Sequence, residues 1–114
     1  MAIINNLLID QGASFSVTIN WTADNGSYID LSNYTANSQL RKSYYSANSI
    51  AFTANISDSA NGEITLSLTP AQTANLKAGR YVYDLNMRDN TNTITRLVEG
   101  IATVMPGVTK WVSL

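Results

Sequence analysis

The stretch from Leu66 to Arg88 constrains the fold more than any other: LSLTPAQTANLKAGRYVYDLNMR. It reads as a strand, a single capped helical turn, a glycine and a second strand rich in tyrosine. The Thr69 side-chain oxygen can accept from the first free N–H groups of a helix. Pro70, next in line, sets φ near the helical value and lacks an N–H that would go unpaired there anyway. Ala71 to Leu76 supply about one turn, and Gly79 lets the chain leave it at positive φ. Arg80 to Arg88 then alternates strictly, with Tyr81, Tyr83, Leu85 and Met87 on one face and Val82, Asp84, Asn86 and Arg88 on the other. A strand that crosses through a short helical corner into a tyrosine-bearing strand is the E-to-F corner of a β-sandwich.

The same period of two recurs along the chain. Ile3, Ile4, Leu7, Leu8 and Ile9 form an apolar opening segment, read as a strand interrupted at Asn5-Asn6, and Asp10-Gln11-Gly12 is a turn. Ala13 to Thr22 carries Phe15, Val17, Ile19 and Trp21 on one face and small polar residues on the other, the pattern of a half-buried strand. Asp24-Asn25-Gly26 is the strongest turn signal. Further strands are expected over Thr35–Ser43, with Ala36, Ser38 and Leu40 inward, over Ile50–Ile56, and over Glu63–Thr69. Thr93–Val104 is the last long strand. Its alternation changes phase near Glu99-Gly100, since Leu97 and Val98 are adjacent apolar residues and Ile101 and Val104 differ in parity, which predicts a β-bulge at Gly100.

These segments predict an all-β fold, an immunoglobulin-like β-sandwich of about seven antiparallel strands with one short helical turn at about 70–76. A flattened barrel has the same periodicity. The 114 residues make one domain over 1–107, followed by a tail over 108–114. Only 13% of residues are charged, against roughly 25% in typical soluble domains. Asn, Thr and Ser must therefore cover the surface, as suits a β-protein.

Composition also removes chemistry. There is no histidine and no cysteine, so Ser-His-Asp and Cys-His sites, disulfides and the usual zinc ligands are all excluded. The carboxylates Asp10, Asp24, Asp30, Asp58, Glu63, Asp84, Asp89 and Glu99 sit mostly in or beside turns, where Asp binds its own backbone. No EF-hand pattern is present, and Asp24 with Asp30 would offer calcium only two carboxylates. Asp84, alone inside a strand, is read as an ion-pair partner of Arg41 or Arg96 rather than as a catalytic acid. The basic residues are scattered and the net charge is −1, against a nucleic-acid partner. No apolar run approaches membrane-spanning length and none follows a basic start, so the expectation is a soluble chain without an export signal. Four Asn-x-Ser/Thr matches, at Asn20, Asn25, Asn33 and Asn55, are expected by chance in so Asn- and Thr-rich a chain. The expectation is no enzyme, no cofactor and no metal.

Aromatic and apolar residues outside the strands are the candidates for binding. Tyr28, Tyr44 and Tyr45 lie in predicted loops with Tyr34, suited either to a protein interface or, in the alternative of a carbohydrate-binding or host-adhesion module, to stacking on a glycan. One of Tyr81 and Tyr83 is a candidate corner tyrosine. The tail carries Trp111, Val112 and Leu114, apolar area that should dock either on its own sandwich or on a neighbouring subunit.

Three stretches together carry a resemblance: Ile9 to Phe15; Asp24 to Ala36, leading to Gln39-Leu40-Arg41-Lys42-Ser43; and Gly62 to Thr73, followed by Gly79 to Leu85 and Arg96 to Gly100. The sequence resembles small Ig-like domains of tailed-bacteriophage virion proteins, of the kind found in baseplates and at the attachment ends of tail fibres. The resemblance covers nearly the whole chain up to Pro106 and rests on turn and strand signatures. That family often has Gly where Asn33 stands, and Asn also tolerates such a turn. The resemblance implies a structural or adaptor part without catalytic residues, present in several symmetric copies. It further implies partners among virion proteins or copies of itself, and a location in a virion assembled in the bacterial host cytoplasm.

Overall fold

A computed structural model describes residues 3–23, 25–43, 45–46 and 49–108. The strands are β1 (Ile3–Ile4), β2 (Leu7–Asp10), β3 (Phe15–Asn20), β4 (Thr35–Arg41), β5 (Ile50–Ala51), β6 (Thr53–Asp58), β7 (Glu63–Leu68), β8 (Gly79–Arg88) and β9 (Ile94–Met105), with helix α1 (Pro70–Ala74) between β7 and β8. They form two sheets. The larger runs β1-β9-β8-β4-β5, with β2 also on β9, and the smaller runs β3-β7-β6. With β3, β7 and β6 at the B, E and D positions and β4, β8 and β9 at C, F and G, this is the strand order of an immunoglobulin-like sandwich.

The core forms because the alternating faces of both sheets meet. Ile64, Leu66 and Leu68 of β7 face Leu40 of β4, Leu85 and Met87 of β8, and Val98 and Val104 of β9, all buried. Phe52 lies between Phe15 and Tyr83, with ring centroids 6.0 and 5.9 Å away. Ser38, buried on β4, donates its hydroxyl to the Asp84 carbonyl at 2.5 Å, so no buried hydroxyl goes unpaired there.

The corner that dominates the sequence forms as its residues dictate. Thr69 caps α1 by accepting from the Gln72 N–H at 3.2 Å, and the Gln72 side chain returns the bond to the Thr69 N–H at 2.8 Å. The helix ends at Ala74, and Leu76 beyond it is buried. Gly79 leaves at φ 137 and opens β8. The Tyr81 hydroxyl donates to the Lys77 carbonyl at 2.8 Å, which makes Tyr81 the corner tyrosine.

Three strand expectations need correction. The strands are not all antiparallel, because β1 and β2 both pair parallel with β9. Ile50–Ile56 is not one strand. The chain pairs with β4 at Ile50–Ala51, steps across the core at Phe52, and pairs with β7 from Thr53. The bulge lies at Leu97, not Gly100: Leu85 pairs with Val98 and Asn86 with Arg96, leaving Leu97 extra. That single insertion lets Leu97 and Val98 both be buried although adjacent.

Candidate interaction surface

Edge strand β1/β2 keeps one register against β9, pairing Ile4 with Glu99 and Leu8 with Thr103. Since side chains alternate, Leu7 and Ile9 enter the core while Ile4 and Leu8 face solvent. The same face of β9 presents Ile101 and Met105, diagonal neighbours of Leu8 on either side of Thr103. Ile101 in turn faces half-buried Val82 on β8. Leu8 is 70% exposed, so this is an apolar stripe on the outside of the larger sheet rather than part of the core.

A charged cluster borders the stripe. Asp84 and Glu99 are direct cross-strand neighbours, an arrangement that is repulsive by itself. Arg96 lies between them, with its Nε 3.5 Å from Asp84 and a terminal nitrogen 3.5 Å from Glu99. Asp84 thus has the ion-pair role read for it, with Arg96. Arg41 instead donates to the Ser46 carbonyl at 2.8 Å and to the Gln39 side chain at 2.9 Å. These residues line a shallow cleft of about 300 Å³ over the sheet.

Three further carboxylates serve their own turns, while Glu63 lies in β7 and accepts from the Ser57 hydroxyl at 3.0 Å. Asp30 accepts from the Ser32 N–H, Asp58 from the Asn61 side chain, and Asp89 from Thr91 and the Thr93 N–H. The bonds to Thr91 and Thr93 hold the Asp89 carboxyl below its ordinary pKa. Among the described residues no three carboxylates converge.

The predicted binding residues are scattered. Tyr28 forms an isolated bridge with Thr22 in the β3–β4 connection and is exposed. Tyr45, 97% exposed, follows β4. Tyr28 thus belongs to the connection that precedes β4 and Tyr45 to the one that follows it. Tyr34 packs edge-on against Trp21, with centroids 5.4 Å apart. Lys42 lies over the Tyr81 ring at 4.8 Å from its centroid. Tyr44, Trp111, Val112 and Leu114 lie outside the described residues. Sequence reasoning missed the stripe. Its signal was the run Leu7-Leu8-Ile9: a strand with consecutive large apolar residues must leave one on each face.

Two packed sheets in this order, with a tyrosine corner between β7 and β8, are decisive for the architecture. The fold is an immunoglobulin-like sandwich. No protein-family model and no curated protein matches the sequence. Among solved structures the chain is similar to the Lin-41 filamin domain, at 15% identity and TM-score 0.45, over 88% of this chain and 84% of that one. It is also similar to the N-terminal four Ig domains of Dscam1 isoform 7.44, at 15% identity and TM-score 0.45, over 92% of this chain and 23% of that one. A third is an internalin-like protein of Listeria monocytogenes, at 13% identity and TM-score 0.42, over 91% of this chain and 28% of that one. The chain thus spans about a quarter of the latter two.

Proposed function

We propose that this chain is a non-enzymatic protein-interaction module, an Ig-like assembly or adaptor part of a tailed-bacteriophage virion, in its tail, baseplate or fibre. The observation that carries the interaction reading is the stripe of Ile4, Leu8, Ile101 and Met105. Contiguous exposed apolar area bordered by charge is costly in water and suits a partner surface. The virion setting is supported by the sequence resemblance, which spans the strands and turns up to Pro106. The absence of histidine and cysteine, and the use of carboxylates within turns, fit a part that performs no chemistry.

The test is mass spectrometry of gradient-purified particles of a phage encoding this chain, with a Leu8→Lys plus Ile101→Lys variant beside the unmodified protein. The unmodified chain is expected in the particles. The variant is expected to fold and melt like its parent, since both positions face solvent, and to be lost from the particles. A chain absent from particles ends the virion reading. Incorporation of the folded variant ends the assignment of the stripe as the contact.

A further inference from the structure

We propose that β3 is a pairing edge for a second copy of this chain: two β3 strands join antiparallel across a two-fold axis and fuse the two smaller sheets into one.

The edge is open on its outer side. β3 pairs with β7 alone, and among the described residues no strand lies beyond it. The Trp21 N–H bonds the Gly62 carbonyl at 2.8 Å just past the end of the ladder. Antiparallel alternation then assigns Phe15, Val17 and Ile19 to the pairs that exchange bonds with β7. The backbone N–H and C=O groups of Ser16, Thr18 and Asn20 therefore point away from the sheet.

The edge is also unguarded, and among the described residues it is alone in that. Proteins blunt free edges with charge, proline, bulges or short strands. β5 is only Ile50–Ala51, β6 bulges between Ile56 and Asp58 and ends on a carboxylate, and the β1/β2 edge is broken at Asn5-Asn6. From Gln11 to Ala23, by contrast, there is neither a charged residue nor a proline. Burial indicates that a neighbour is lacking. Phe15 and Val17 point inward yet remain half-buried, whereas Ile64, Leu66 and Leu68 of adjacent β7 are buried.

A second copy fits because the edge complements itself. With the axis at Val17, Ser16 pairs with Thr18 of the other copy through outward-pointing backbone groups, and Ser14, just before β3, comes opposite Asn20. Val17 then faces Val17, and Phe15 faces Ile19, covering the half-buried inner residues. Every solvent-side residue is a small hydroxyl or amide, so the symmetric contact opposes no like charges. Main-chain bonds supply the attraction, as in other strand additions. The inference deepens the reading of an assembly module and takes from it only the supply of further copies.

The test is light scattering coupled to size exclusion on the full chain, over a concentration series into the millimolar range. The expected result is a mass rising from 12.4 kDa to twice that value. Amide exchange at Ser16, Thr18 and Asn20 should slow as concentration rises, a reading on the unmodified protein that needs no variant to fold. Ser16→Lys plus Thr18→Lys should stay monomeric with unchanged circular dichroism. Ser16→Glu plus Thr18→Lys should dimerise again, because the carboxylate introduced in one copy then faces the ammonium introduced in the other. A wild-type monomer throughout, a dimer surviving in the double-lysine protein, or a monomeric Glu/Lys protein each overturns the pairing. A monomer that still enters particles defeats this inference alone. A dimer absent from particles defeats the virion reading alone.

Discussion

The Tyr83 hydroxyl donates to the backbone carbonyl of Asn5, 78 positions earlier in the chain. Between them lies Gly100, the direct cross-strand partner of Tyr83. The Asn5 N–H bonds the Glu99 carbonyl at 2.9 Å, as a parallel ladder requires. In that ladder the Asn5 carbonyl should accept from the Ile101 N–H. It turns to Tyr83 instead, and the Asn6 side-chain oxygen accepts from Ile101 at 3.0 Å. The interruption at Asn5-Asn6 is thus an exchange of one ladder bond for two side-chain bonds that anchor the opening segment to β8 and β9.

Gly100 is the position where this arrangement tolerates no side chain. A Cβ there would collide with the Asn5 carbonyl carbon at 2.9 Å and with the oxygen closer still. Gly100→Ala should destabilise the domain by about 1–3 kcal/mol, as overpacking does. Gly12, at φ 84 with open space around it, offers a comparison in which only backbone conformation resists. Gly12→Ala should cost about 1–2 kcal/mol without loosening the N-terminus. Urea melts give both values, and amide exchange at Ile4 and Asn5 should quicken only in Gly100→Ala.

Burial pushes the Tyr83 phenol up to about 12. A folded-state pKa above the unfolded value near 10 gives stability that is complete below pH 10 and lost as pH rises toward 12. Tyr83→Phe should lower stability by about 1–2 kcal/mol at neutral pH by leaving the Asn5 carbonyl without its donor. It should also flatten the alkaline decline. Urea midpoints from pH 8 to 12 check both; an unchanged alkaline slope would remove Tyr83 as its cause.

Thr73 ties the helical corner to the β2–β3 turn. Its buried hydroxyl accepts from the Gly12 N–H at 3.0 Å and donates to the Ala13 carbonyl at 2.8 Å. Thr73→Val keeps the shape and strands both groups, at a cost of about 1–3 kcal/mol. Thr73→Ser should recover most of the loss, which separates hydrogen bonding from packing in a thermal melt.

Asp84 should matter little to stability. Its pair with Arg96 is partly exposed and long at 3.5 Å, and Asp84→Asn also relieves the opposition to Glu99. The expected change is within about 0.5 kcal/mol, with solution mass unaltered. An altered solution mass in a protein of unchanged melting temperature would place Asp84 in a contact.

The sequence alone determined what depends on near neighbours. Thr69, Pro70, Gln72 and Gly79 specify the corner because a cap, a fixed φ and a permissive exit act within one turn of chain. The period of two in Ala13–Thr22 and Arg80–Arg88 separates inward from outward faces, because pleating does so whatever the partner strand. Turn carboxylates such as Asp30 and Asp89 were legible for the same reason. Tertiary structure decided what depends on pairing. Nothing local in Ile3–Asp10 directs it parallel onto β9, nothing in Ile50–Ile56 announces a change of sheet at Phe52, and a phase change between Leu97 and Ile101 has several places to put one extra residue. The buried Leu97-Val98 pair settled the last. The solvent-facing stripe and the open β3 edge belong to the same class: alternation says that Leu8 and Thr18 point outward, but only the completed sheets show what lies beside them.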